Sequence, residues 1–266
     1  MTKYNGMKVL EIDIETAPHN VFAWGLFKQN IYLDQIVEPG YTLCYAAKWQ
    51  HEKTMEFDSL FINEKEPLFA RVWELLDEAD AVVHYNGKNF DMPTLNGEFA
   101  QLGFPPPSNY KQIDLLQVVR SNFRIASNKM DFVARMFGIE GKVPHKGMDL
   151  WKECMEGVEL KWGDKIPPHV WTAWRKMELY NKQDVNILSQ LYKKLQPWIK
   201  SHPNRNLYME DPSKLACPTC GSTDLRNKGI ERPAKVNAYV RYKCGGCGAN
   251  PRSRLPIKGM TKPEVV

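Results

Sequence analysis

No run in this sequence approaches the roughly 18 uninterrupted apolar residues needed to cross a bilayer, so a helical membrane span is excluded. A secretory leader is missing too. Residues 1–6 lead straight into a strand-like segment with no apolar signal core, so secretion is not expected and the cytoplasm is the expected compartment. There is no internal repeat. Cysteine is sparse, and of the six, Cys44 and Cys154 stand alone in apolar surroundings and read as small buried residues. The first 200 residues also lack a charge excess of either sign. Residues 201–266, with 12 Lys and Arg against 5 Asp and Glu, supply the whole of the +5 formal charge. A near-neutral body with a basic tail suggests that the tail meets a polyanion.

The 266 residues suffice for one sizeable domain and a small appendage. Residues 8–15 alternate and are rich in Ile and Leu, as a strand should be. Residues 41–49 and 54–61 predict two more strands, joined by the polar turn Gln50-His51-Glu52-Lys53. Leu68, Val72, Leu75 and Leu76 lie at helical spacing and predict a helix over 66–79. A short strand over 81–85, the turn Asn86-Gly87-Lys88-Asn89 and a helix over 93–102 follow. Beyond Gly103-Phe104-Pro105-Pro106-Pro107 a further strand is expected near 113–119, then a short helix over 130–137 ended by Gly138. Residues 139–167, with many Gly, Pro and Lys, read as an irregular flap over a site. A long helix is expected from Pro167-Pro168 to about Gln196. The domain organisation expected is 1–202, a linker over 203–214, a small module over 215–256 and a loose tail over 257–266. Strands in hairpin order followed by alternating helix and strand imply a mixed α/β sheet flanked by helices.

Acidic residues interrupt this pattern in three places. In a strand, Glu11, Asp13 and Glu15 share one face, opposite Leu10, Ile12 and Ile14. Stacked carboxylates repel and are costly to bury unless a cation joins them. The alternative is an edge strand with a solvated face. Asp91 ends His84-Tyr85-Asn86-Gly87-Lys88-Asn89-Phe90-Asp91, where a carboxylate most often caps the next helix. On the long helix Trp174, Met177, Asn181, Asp184, Leu188, Leu191 and Leu195 form one inward stripe, broken by Asn181 and Asp184. An Asp among core positions needs a partner: a metal, a buried Arg or a backbone amide. Tyr180 lies one turn before it, on nearly the same side.

Together, Asp13-Ile14-Glu15-Thr16, then Asn86-Gly87-Lys88-Asn89-Phe90-Asp91, then Tyr180-Asn181-Lys182-Gln183-Asp184 resemble in order and spacing the three motifs of the DEDDy-type 3′–5′ exonucleases. These are DnaQ-like proofreading nucleases of the ribonuclease H-like superfamily, and the likeness extends to the exonuclease domain of family-B DNA polymerases. The resemblance covers about residues 7–200 and implies a ribonuclease H-like mixed sheet. It implies that Asp13 bridges two Mg²⁺ or Mn²⁺ ions, that Glu15 and Asp184 complete the first ion's shell, and that Asp91 holds the second through water. Tyr180 would orient the attacking water. With a pKa of about 10 it is a poor general base, so the metal must activate that water. Relatives of the other subclass carry histidine at this station. Thr16 and Asn86 would contact the terminal nucleotide, and Phe90 would pack. Glu11 departs from the pattern, since relatives usually carry a less charged residue there.

The remaining cysteines, Cys217-Pro218-Thr219-Cys220 and Cys244-Gly245-Gly246-Cys247, form two knuckles of the kind that hold tetrahedral zinc, each followed by a turn-permitting glycine. With no secretion signal, metal is expected rather than disulfide. Four thiolates leave no open position, so one structural Zn²⁺ is expected and the ribbon should not fold without it. Alternation over 237–243 puts Tyr239, Arg241 and Lys243 on one face, suited to stacking on bases and pairing with phosphate, and Arg226, Lys228, Arg252 and Arg254 extend the charge. Docking on a protein is the alternative. The function expected is a stand-alone 3′–5′ exodeoxyribonuclease acting on single-stranded DNA 3′ ends, serving a DNA polymerase or other replication protein in trans. RNA 3′ processing, a catalytically silent binding module and a transposase- or resolvase-like nuclease are the competing readings.

Overall fold

A computed structural model describes residues 6–144, 146–160, 163–211, 213–231 and 237–257; the expected tail from 258 onward lies outside them. The chain forms two compact units, Lys8–Leu116 with Ser127–Ser189, and Gln117–Ala126 with the described chain from Gln190 on.

The first unit begins with β1 (Val9–Thr16), the expected alternating strand. A small hairpin of β2 (Asn20–Val21) and β3 (Ile36–Glu38) precedes β4 (Thr42–Trp49) and β5 (Glu56–Ser59). Then come α1 (Lys65–Glu78), β6 (Ala81–His84), α2 (Asp91–Gln101) and β7 (Lys111–Asp114). The helices α3 (Leu115–Asn122), most of which belongs to the second unit, α4 (Met130–Met136), α5 (Met148–Glu159) and α6 (Pro168–Leu195), which enters the second unit at Gln190, complete the order. The five-stranded sheet runs β5-β4-β1-β6-β7. Its hairpin strands pair antiparallel and its later strands parallel, as hairpins and helical crossovers require.

Because β1 is central, the solvated-edge reading of its acidic face does not hold, and Glu11 is fully buried. Leu10, Ile12 and Ile14 turn the other way, onto Leu68, Val72 and Leu95 of α1 and α2. Burying each such side chain contributes about 1.5–3 kcal/mol, which fixes the register of β1. A second cluster joins Leu43 and Cys44 of β4 to Leu150 and Cys154 of α5 and to Val170, Trp174 and Met177 of α6.

Three expectations need correction. The run near 113–119 is a strand only as far as Asp114, whose carboxylate accepts the Leu116 N–H at 2.9 Å and starts α3. Short apolar runs do not separate strand from helix, and the cap decides here. Residues 139–167 are not an irregular flap throughout, because α5 occupies 148–159 and buries Leu150 and Cys154 at helical spacing. The strand expected over 54–61 is also trimmed to β5, since Ile62 and Asn63 turn back onto the Ser59 carbonyl.

In the second unit, β8 (Leu225–Glu231) and β9 (Tyr239–Cys244) form an antiparallel hairpin. The segment expected as a linker is hydrogen-bonded to the first cysteine knuckle. Arg205 donates from its backbone to Pro218 and from its side chain to Thr219, and Asn206 donates to the Ala216 carbonyl. Tyr192 stacks on His202 and bonds to its Nε2 at 2.6 Å. Ile257, assigned to the tail, donates to the Ala238 carbonyl. Among the described residues no helix is long and apolar enough to cross a membrane.

Candidate functional site

The site forms where β1 ends. A bulge between Glu15 and Thr16 shifts the pairing so that Thr16 faces Thr42. Glu98 of α2, buried and paired with Lys65 at 2.7 Å, accepts the Thr42 N–H and pins that corner. Strand alternation sets Asp13 and Glu15 against Asn181 and Asp184 of α6, whose inward stripe is buried as its spacing predicts. Carboxylate oxygens of Asp13, Glu15 and Asp184 all lie within 4.8 Å of one another.

That proximity controls their protonation. Burial pushes the Asp13 carboxyl well above its ordinary range, and the charges of Asp91, Glu15 and Asp184 add to the effect. Glu15 rises to about 8, through burial first and then the Asp184 charge. Asp184 is raised by burial and held back by Lys142. One of its oxygens, Oδ1, is buried with no hydrogen-bond partner among the described residues. Two strand positions and one helix position thus hold three acids that resist ionising together. A divalent cation would remove both the repulsion and the orphaned oxygen, so the residues fit such an ion.

Asp91 stands slightly apart. It is the first residue of α2, and its Oδ1 accepts the Ile14 N–H at 3.2 Å, so it tethers α2 to β1. Burial lifts it to about 6 against that bond, and it lies within electrostatic reach of Asp13 and Glu15. Asn86 has a left-handed backbone (φ 71°), and its N–H donates to Asp114 at 3.0 Å. Gly87 then passes so close to the buried His84 that a Cβ would meet the ring at 2.5 Å. Phe90, expected to pack, is instead 44% exposed, because the turn points it outward.

Tyr180 is buried, edge-on to Trp151. Burial and the Asp184 charge lift its phenol to about 12. A group that far up is a hydrogen-bond donor at neutral pH and not a base. Two further residues enter to which the motifs give no role. Lys142 bonds its ammonium to Asp184 and, at 3.0 Å, to the Tyr180 oxygen. Nothing in the sequence around Lys142 marks it, since its role depends on where the chain after α4 returns. Asn181 donates its amide to both the carbonyl and the Oδ2 of Asp13, the latter at 2.8 Å. Its signal was visible as a second polar break in the apolar stripe.

In the second unit the sulfurs of Cys217, Cys220, Cys244 and Cys247 lie within 4.8 Å of one another, and the four are not in disulfides. Both knuckles close alike: Gly221 donates to Cys217 and Gly248 to Cys244, each glycine at positive φ. Four converging thiols on two matched turns fit a tetrahedral zinc. Of the face expected to meet nucleic acid, Arg241 is exposed, whereas Tyr239 lies beneath the Arg252 guanidinium and Lys243 donates to the Gly248 carbonyl. Cys44 and Cys154 are buried, as expected.

A family model, RNase_H_2, described as RNase_H superfamily, matches residues 38–196, more than half of the chain. Asp91, Lys142, Tyr180 and Asp184 fall inside the match, while Asp13 and Glu15 precede it. No curated protein matches the chain.

Proposed function

The chain belongs to the RNase_H_2 family of the RNase H superfamily, whose fold suggests a nuclease-type activity, and from that premise we propose a metal-dependent 3′–5′ exonuclease of the DEDDy kind that acts on DNA ends. The observation that carries the reading is the convergence of Asp13, Glu15 and Asp184 on one point, with Tyr180 a single helical turn from Asp184.

Two Mg²⁺ or Mn²⁺ ions, held by Asp13, Glu15, Asp184 and Asp91, would supply an activated water and neutralise charge gathering on the phosphate. The chain's own residues do the rest. Tyr180, protonated at neutral pH, donates to the attacking water and aims its lone pair at phosphorus. Asn181 fixes the rotamer of Asp13, so that its second oxygen faces the site. Lys142 keeps positive charge beside Asp184 and Tyr180, countering carboxylate repulsion as the site fills. Thr16 at the bulge and Asn86 in its strained turn are suited to meet the terminal nucleotide. Water attack then breaks the phosphodiester bond to the preceding sugar and releases a mononucleotide. The 3′–5′ direction rests on the likeness of the three motifs. In the second unit a structural zinc on the four cysteines would hold the ribbon, with Arg241 offered to phosphate.

End-labelled oligonucleotides incubated with Mg²⁺ test the reading, using single-stranded, duplex and mismatched DNA beside RNA. Stepwise shortening from the 3′ end of DNA by the wild type, lost in Asp13→Ala, is the expected result. Equal activity in that variant, or none in the wild type, would sink it. Faster removal from RNA would move the substrate class to ribonucleotides.

A further inference from the structure

Between β1 and β4 the chain makes an excursion that the catalytic reading does not use. Ala17 donates to the Tyr41 carbonyl at 2.8 Å, closing the base of an arm formed by residues 18–40. The arm's backbone is well tied. Phe22 and Gln35 exchange two bonds, Tyr32 donates to the Gln35 side chain, and Gly40 donates to His19. Its side chains have no core of their own. Trp24 is 94% exposed and Phe27 86%, and Phe22, Leu26, Tyr32 and Leu33 are also open. Large apolar groups gathered on a hydrogen-bonded scaffold mark a contact surface.

The arm contains a cavity of about 410 Å³, lined by Trp24, Gln29, Asn30, Tyr32, Asp34 and Gln35. Its chemistry narrows the occupant. Two aromatic rings suit a flat ligand. No Lys, Arg or His lines it, so it is not built for a phosphate. Gln35 is already bonded on both sides of its amide. Gln29 is not: its Nε2 is buried with no partner among the described residues, held against Gly25, where a Cβ would lie 3.2 Å away. An orphaned donor beside an acid and a second amide calls for a ligand edge with both acceptors and donors. A nucleobase has that edge, a flat face and a size the cavity admits.

We propose that this arm holds single-stranded nucleic acid, with one unpaired base stacked against Trp24 and Tyr32 and its edge hydrogen-bonded by Gln29. The arm leaves the sheet one residue past β1, at the strand end that carries Asp13 and Glu15. The base of the arm therefore adjoins the carboxylate site. The identity of the polymer rests on the nuclease reading; the cavity's preference for a base does not. Stacking on such rings tolerates any base, which suits an enzyme that advances along a strand.

Fluorescence anisotropy of a labelled single-stranded oligonucleotide, with the full zinc-loaded chain and no Mg²⁺ or Mn²⁺ added so that no cleavage occurs, tests this. Trp24→Ala and Tyr32→Ala should each weaken binding roughly tenfold or more. Both side chains are exposed, so neither change hollows a core. A strand carrying abasic sugars should bind the wild type more weakly, and Trp24→Ala should lose nothing further on it. Variants that bind like the wild type, or an abasic strand that binds as tightly as a normal one, would overturn the proposal. So would a wild-type dimer that Trp24→Ala dissociates with strand affinity unchanged. A wild type that binds through the arm but cleaves no strand would leave the arm assigned and remove the nuclease reading instead.

Discussion

Replacing Asp13 by Asn should make the metal-free protein more stable while abolishing activity. The shape of the side chain is kept, and its oxygen can still accept the Asn181 amide that now meets Oδ2 at 2.8 Å. What disappears is one charge in a cluster whose oxygens lie within 4.8 Å of one another. At an effective dielectric of about 20, each fully ionised pair at that distance repels by about 3 kcal/mol. Asp13 faces two such partners, but Lys142 offsets part of the repulsion and both strand acids retain some solvent access. A net gain of about 2–3 kcal/mol remains, equivalent to roughly 5–10 °C in melting temperature for a domain of this size. The pH dependence follows from the direction of the shifts. Carboxyls whose folded pKa is raised bind more protons folded than unfolded, so wild-type stability falls as pH climbs from about 4 toward the Glu15 value of about 8. Below that window the cluster is protonated and the two proteins should melt together. Thermal scans of the zinc-loaded protein without added Mg²⁺ from pH 5 to 8, repeated with Mg²⁺, read all of this. Mg²⁺ should raise the wild type more than the variant. A variant no more stable than wild type at pH 8, or a gap of equal size at pH 5, would refute the repulsive cluster.

Other perturbations follow from the same geometry. Lys142→Met should lower metal-free stability at pH 8 by about 3 kcal/mol, because it strands the buried Asp184 charge, and the deficit should shrink at pH 5, where Asp184 is more protonated. Gly87→Ala should cost about 1–3 kcal/mol in denaturant titrations, since the new methyl meets a fully buried His84 ring that has nowhere to move. Zinc analysis should find one ion per chain, lost in Cys217→Ser. Removing it should abolish the near-ultraviolet signal of Tyr239 and Tyr242, because the ribbon's apolar cluster is confined to the cysteines, Leu225 and Ala249.

Much of the candidate site was legible because its signals are local. The alternation of β1 places Asp13 and Glu15 on one face whatever the sheet around it. The stripe of α6 makes Asn181 and Asp184 inward-facing, and both are buried. The two knuckles announce a metal from spacing alone, and their cysteines converge. Helix α5 was hidden because its Gly- and Lys-rich neighbourhood reads as loop, although Leu150 and Cys154 bury at helical spacing. The end of β7 was hidden because Ile113 to Val119 satisfies either period, and only the Asp114 cap separates them.

Sequence by itself determined which residues could carry charge inward, since strand and helix periodicities are properties of the local backbone. It determined the family likeness for the same reason, the motifs being short and ordered. The tertiary structure decided what no local period contains. It made β1 central, so that Glu11 is buried and Asp13 and Glu15 are half-buried, and it brought Lys142 from a distant segment onto Asp184 and Tyr180. It also held residues 18–40 as an arm with exposed rings and an unmet amide. Each of these depends on contacts between residues far apart in the chain, where the energy lies in the meeting of the groups and not in either one alone.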